Sequence, residues 1–172
     1  MNVLITGAAG FIGSQLTHRL WKDGVNVVLV DNYSYGSGGY LIFDDCNLID
    51  KVLKVDIRDR ERMDAIFSEN VIDYVYNIAG IAPLPDCQSN PCEAIDVNVT
   101  GFVNILECSR KYGVKKVIQA STNAMYENET EFPTFENNFK HPTLIYPNTK
   151  YCAERFAESF CDTYGMNVTC LR

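Results

Sequence analysis

An apolar run, Val3-Leu4-Ile5-Thr6, leads straight into Gly7-Ala8-Ala9-Gly10-Phe11-Ile12-Gly13. A helix-like pattern then continues to Lys22, before a second apolar run from Val25 to Val30. Strand, glycine turn, helix and strand in that order make a βαβ unit, which requires parallel strands and a helix crossing over them. The three glycines allow a tight turn, close approach of the backbone to a pyrophosphate, and close packing of helix on strand. The helix start adds unpaired N–H groups and the positive end of a dipole, both suited to phosphate. Any strand-to-helix turn can use glycine. Its place inside a βαβ unit points instead to dinucleotide binding through Gly7, Gly10, Phe11, Ile12 and Gly13.

Asp31 follows the second strand close to the ~20-residue offset at which an acidic side chain reaches an adenosine ribose. A carboxylate there accepts hydrogen bonds from a 2′-OH and repels a 2′-phosphate, so the expected cofactor is NAD rather than NADP. The alternative is a solvated loop residue opening an Asx-turn with Asn32.

The alternation continues along the chain. Strands are expected near Val52–Val55, Tyr74–Ile78, Lys116–Ala120 and Val168–Leu171, and helices near Arg60–Glu69, Pro91–Tyr112 and Asn148–Tyr164. Short apolar strands with little alternation imply a sheet covered on both faces, hence an α/β, doubly wound parallel sheet with helices on each side. Residues 32–47 and 127–147 interrupt the rhythm as long irregular stretches, which are usually functional or mobile. The helix from Pro91 carries Ile95, Val99, Phe102 and Leu106 on one stripe and further apolar residues around it. Helix Asn148–Tyr164 does the same with Cys152, Phe156 and Phe160. Both read equally as deep core helices or as a helix-pair dimer interface.

The 172 residues suit one domain, and a formal charge of −7 leaves no basic face for nucleic acid or an anionic membrane. The expected partner is a small molecule. No apolar run approaches the ~20 residues of a membrane span, and no charged segment precedes the first strand as in a signal sequence, so a cytoplasmic chain is expected. Seven cysteines without a Cys-x-x-Cys pair suit reduced thiols, and two histidines far apart make a zinc site an unpromising reading.

The spacing Gly-x-x-Gly-x-x-Gly resembles the short-chain dehydrogenase/reductase superfamily, and later motifs decide the branch. Asp31-Asn32-Tyr33-Ser34, Asp56-Ile57-Arg58-Asp59, Asn77-Ile78-Ala79-Gly80, Asp96-Val97-Asn98-Val99-Thr100-Gly101, Ala120-Ser121-Thr122 with Tyr126, and Tyr146-Pro147-Asn148-Thr149-Lys150 stand in order along the whole chain. Together they resemble the NAD-dependent epimerase/dehydratase family.

That resemblance implies a catalytic set of Thr122, Tyr146 and Lys150. A free tyrosine with a pKa near ~10 is a poor base, and a nearby ammonium together with a nicotinamide ring can stabilise its phenolate. Independently of the family, Pro147 suggests a helix start, which would put the Lys150 cation in a first turn against the macrodipole. An exposed Tyr and Lys at i, i+4 is the bland alternative. By resemblance Asp56, with Ile57, takes the adenine amino group, Ala79 and Gly80 line the nicotinamide side along with Tyr146 and Lys150, Asn32 follows Asp31 at the ribose, and Asn98 stabilises the end of its helix. Asp56 could instead cap the next element, and Ala79-Gly80 could be close packing.

Two residues depart from the family pattern: Gly80 replaces an alanine, and Glu127 stands where glycine follows Tyr126. Family members that dehydrate sugars carry acidic residues after the catalytic Thr, whereas this chain has Asn123 and Ala124. A UDP-sugar 4-epimerase working as a homodimer is therefore expected ahead of a dehydratase or a non-catalytic NAD sensor. Residues 1–172 are expected to be the NAD-binding domain, without the C-terminal substrate domain of the family.

Overall fold

The computed structural model of the chain describes residues 1–35, 39–43, 46–130, 132–138 and 140–172, with the backbone alone at Phe43 and Cys46. In chain order the strands are β1 (Asn2–Thr6), β2 (Asn26–Asp31), the short hairpin β3 (Ile42–Phe43) and β4 (Cys46–Asn47), β5 (Val52–Lys54), β6 (Tyr74–Asn77), β7 (Lys116–Ala120) and β8 (Val168–Leu171). The helices are α1 (Phe11–Lys22), α2 (Arg60–Glu69), α3 (Leu84–Ser89), α4 (Pro91–Ile95), α5 (Phe102–Lys111) and α6 (Ile145–Tyr164).

Six strands form one sheet in the order β5-β2-β1-β6-β7-β8, and every neighbouring pair is parallel. Alternation along β1 divides the core. Val3 and Ile5 pack with Leu29 and with Leu16 and Leu20 of α1. Leu4 points the other way, into a cluster with Phe67 of α2, Phe102, Ile105 and Leu106 of α5, and Ala153 and Ala157 of α6. The sheet is thus covered on both faces, as expected of a doubly wound fold. The order reverses beside β1, and a crevice at the carboxyl ends of β1, β2 and β6 is where such folds take ligands.

Two expectations need correction. The helix expected from Pro91 is not a continuous α-helix: α4 and α5 are joined by a wide π-type turn over Asp96–Gly101. Because such a turn holds more residues than an α turn, the expected stripe splits. Ile95 is 47% exposed, while Phe102 and Leu106 are fully buried. The second correction concerns α6, which starts at Ile145 rather than Asn148. Pro147 occupies the third helical position, where no intrahelical N–H bond is lost. Helix α3 is not expected from the sequence: Ala82-Pro83-Leu84-Pro85 leads into it, and a proline early in a helix is compatible with its first turn.

Six cysteines, Cys87, Cys92, Cys108, Cys152, Cys161 and Cys170, are free thiols, and Cys46 lies outside the described side chains. Among the described residues no helix is long and apolar enough to cross a membrane.

Candidate functional site

The glycine turn is built as a clasp between β1 and α1. Gly7 turns the chain with φ 68°, the Gly10 N–H donates to the Gly7 carbonyl at 3.2 Å, and the Ala8 N–H ties the turn to Val30 at 3.2 Å. Gly13 lies so close that a Cβ there would sit on the Gly7 carbonyl oxygen and 2.8 Å from its carbonyl carbon. Asp31 braces the same turn. One carboxylate oxygen accepts from the Ala9 N–H at 2.9 Å and the other from the Tyr33 N–H at 2.7 Å. The Tyr33 bond closes the Asx-turn, and the Ala9 bond sets the carboxylate against the glycine turn.

Asp56, just beyond β5, accepts the Arg58 guanidinium on both oxygens at 3.0 and 2.8 Å and the Asn32 amide at 2.9 Å. The Arg58 guanidinium holds its carboxyl down at about 2, against the opposing effect of partial burial. Arg58 also pairs with Glu93 of α4 at 2.9 Å, so the loops after β2 and β5 and the start of α4 are locked together.

These residues surround a cavity of about 480 Å³. Its walls include Gly7, Gly10, Phe11, Ile12, Gly13, Asp31, Asn32, Asp56, Ile57, Ala79 and Gly80. Tyr35 also lines it and reaches across to α3, donating to Asp86 at 2.7 Å. Partial burial and this bond push the Tyr35 phenol up to about 12.

Thr122, Tyr146 and Lys150 are not part of that wall. Lys150 meets it at Gly80, where a Cβ would lie 3.1 Å from Nζ and 2.9 Å from Asn98 Oδ1. An added methyl at Gly80 would require the ends of both side chains to move by a few tenths of an ångström. Lys150 is only 4% exposed and donates to the Ala120 carbonyl at 2.9 Å; burial lowers its amine to about 8. With α6 starting at Ile145, Lys150 stands beyond the first turn, so the macrodipole argument for it fails and its burial takes that place. The Thr122 hydroxyl oxygen accepts from the Ala124 N–H at 3.1 Å. Tyr146 shares a face of α6 with Lys150 and, among the described residues, bonds neither Lys150 nor Thr122 through its hydroxyl. Such bonds often tighten only when substrate is present. Asn98, in the π-type turn, clamps the Ile81 backbone at 2.8 and 2.9 Å and donates to Thr149 at 2.9 Å. It therefore fastens the loop after β6 to α6 rather than its own helix end.

Sequence reasoning missed a buried polar chain behind the site. Thr6 donates to Asn77 at 2.5 Å, Asn77 to Gln119 at 2.7 Å, and Gln119 to the Ala120 carbonyl at 3.1 Å, the same carbonyl that receives Lys150. All three side chains are buried in the sheet, where polar groups persist only when each finds a partner. Three polar residues at the inward ends of apolar strands were the available signal.

The sequence model of the NAD dependent epimerase/dehydratase family matches residues 3–172. Among curated relatives, a UDP-glucose 4-epimerase of Halalkalibacterium halodurans is 32% identical, spanning 100% of this chain and 50% of its own length. Among solved structures, a UDP-glucose 4-epimerase of Thermotoga maritima, crystallised with UDP-glucose, superposes with a TM-score of 0.92 at 38% identity, covering 100% of this chain and 55% of that one. A UDP-glucose 4-epimerase of Thermus thermophilus in complex with NAD gives 0.90 at 30% identity, covering 100% and 54%. The chain spans about half the length of the curated relatives it matches.

Proposed function

Because the chain belongs to the NAD dependent epimerase/dehydratase family, we propose that its residues form the NAD-binding half of an enzyme that inverts C4 of a UDP-sugar. The observation that carries this reading is the convergence of the glycine turn, Asp31, Asn32, Asp56, Ile57, Ala79 and Gly80 on one cavity. The hydrogen-bonding groups around the cavity suit the cofactor. The N–H groups at the start of α1 suit a pyrophosphate, Asp31 the adenosine ribose, and Asp56 the adenine amino group. Each carboxylate oxygen carries two acceptor sites, so the bonds from Ala9 and Tyr33 leave one on each oxygen of Asp31, whereas Asp56 accepts from the Arg58 N–H, two guanidinium nitrogens of Arg58 and Asn32 and would take the adenine amino group only in exchange for one of these. NAD held there would supply the hydride-accepting and hydride-donating chemistry that inversion at a sugar C4 needs.

The protein supplies the proton chemistry. Tyr146 takes the proton of the C4 hydroxyl, Thr122 hydrogen-bonds the same oxygen, and the Lys150 ammonium stabilises the tyrosinate from a site where low dielectric strengthens its field. Asn123 and Ala124 carry no proton to give to a leaving hydroxyl, which favours epimerisation over dehydration. The curated relatives are about twice as long, and turnover is proposed for these residues acting with such a second half. We further propose a cytoplasmic homodimer meeting through the helices from Pro91 and Asn148, whose Ile95 and Phe156 are 47% and 40% exposed.

Native mass spectrometry of the chain purified without added ligand tests this. The expected result is a dimer carrying NAD, with conversion of UDP-galactose to UDP-glucose slow or absent in the same preparation. A chain that does not bind NAD overturns the reading. The choice of cofactor is tested by titration: NAD is expected to bind about 100-fold more tightly than NADP, since facing a phosphate with a carboxylate costs several kcal/mol. Asp31→Ala should narrow that ratio to about tenfold, and NADP binding as tight as NAD in the unaltered chain would remove Asp31 as the selector.

A further inference from the structure

Helix α6 begins without a cap of its own. Its N-cap residue is Leu144, whose side chain makes no cap hydrogen bond, although Ser, Thr, Asp or Asn is what this position ordinarily needs. The N–H groups of the first helical residue and of the two residues before it are instead met from elsewhere in the chain. Glu127 Oε1 accepts from the Leu144 N–H at 3.0 Å, from the Thr143 hydroxyl at 2.8 Å and, at short range, from the Thr143 N–H. Gln88 Oε1, on α3, accepts from the Ile145 N–H at 2.9 Å. Asn148 reaches back to hold the carbonyls of Leu144 and Pro142 at 2.9 and 3.1 Å.

We propose that Glu127 and Gln88 are positioning residues that cap α6 from a distance and thereby set the placement of Tyr146. This deepens the proposed function, on which the role of Tyr146 rests. Tyr146 is the next residue after Ile145, so whatever fixes the first N–H groups fixes its backbone. The acceptors approach from two different elements, α3 and the segment following Thr122. A shift of either one tilts the helix start relative to Ala79-Gly80 and Thr122, between which the tyrosine must act. Glu127 also closes the base of the excursion between Tyr126 and Tyr146. Above it Asn128 donates to the His141 carbonyl at 2.7 Å and Asn138 to Glu129 at 2.6 Å, so the loop is stapled at several levels and its foot is the helix start. A glycine at 127 would leave that foot without an acceptor, which gives the departure from the family pattern a physical purpose.

The test places 3-fluorotyrosine at position 146 alone and reads its fluorine resonance in the chain without cofactor, together with amide exchange at Thr143, Leu144 and Ile145. One narrow line is expected for the unaltered chain. Glu127→Gln, which keeps the acceptor oxygen, should leave that line in place. Glu127→Ala and Gln88→Ala should each move or broaden it and speed exchange at the uncapped amides about tenfold, the double variant more than either. Both residues are exposed enough for these variants to fold, and a melting curve on each confirms it. An unchanged line and unchanged exchange in a folded double variant overturn the proposal, as does Glu127→Gln behaving like Glu127→Ala. NAD titration of the unaltered chain is a separate measurement, so a failure of the cofactor reading is told apart from a failure of the cap.

Discussion

Gly13→Ala is expected to weaken NAD binding by about 100-fold or more, a loss of ~3 kcal/mol, while the fold survives. The added methyl has no room: it falls on the Gly7 carbonyl oxygen and 2.9 Å from Ala8 Cα, all of it backbone. Only a shift of the turn relieves that overlap. The turn holds the N–H groups proposed to meet a pyrophosphate, and Asp31 is bonded to it through Ala9 at 2.9 Å, so the proposed phosphate and ribose determinants are displaced together. Gly24→Ala is the control. Gly24 has φ +74°, but a Cβ added there would meet nothing within 4 Å, so its substitution should cost ~1 kcal/mol of stability through backbone strain and leave NAD affinity unchanged. Isothermal titration on both variants, with circular dichroism to check folding, decides the matter. A Gly13→Ala chain that binds NAD normally would mean that the turn is structural.

What could be read from residues alone follows from how local each determinant is. The βαβ unit and the parallel sheet covered on both faces depend on short-range patterns: apolar runs, a glycine turn and the helical stretches between strands. They were legible for that reason. The site beyond them depends on side chains meeting across long separations. Gln88 reaches Ile145, Tyr35 reaches Asp86, and Thr6, Asn77 and Gln119 link three strands. No periodicity records such meetings. The start of α6 was misplaced because Pro147 is a strong local signal, whereas the acceptors that let the helix begin at Ile145 come from residues 88 and 127. The π-type turn was invisible for a related reason. Its apolar content matches an α-helix, and only the outward Ile95 against the inward Phe102 betrays the change of register.

Lys150 carries the second large expectation: Lys150→Met should make the cofactor-free chain more stable by ~2–3 kcal/mol at neutral pH, while removing the cation proposed to support tyrosinate formation. Burial lowers the amine from its ordinary 10.5 to about 8. Below pH 8 the amine is protonated in both folded and unfolded chains, and the folded state bears the whole cost of the buried charge, about 3 kcal/mol for that gap. Between pH 8 and 10.5 the unfolded chain holds the proton and the folded chain does not, so stability rises with pH across the window. Above it the cost is gone. Methionine has a similar unbranched shape and no charge, and the Ala120 carbonyl it abandons keeps the Gln119 amide at 3.1 Å, so little is lost in return. Urea denaturation of both chains across this range measures the difference, in which other titrating groups largely cancel. The gap should be widest at pH 7 and close toward pH 10.5. A Lys150→Met chain that is less stable than the original at pH 7 would mean that the ammonium is better paired than its one carbonyl suggests. A stabilising loss is what distinguishes a lysine kept for its chemistry from one kept for the fold, because a protein tolerates such a cost where function requires it.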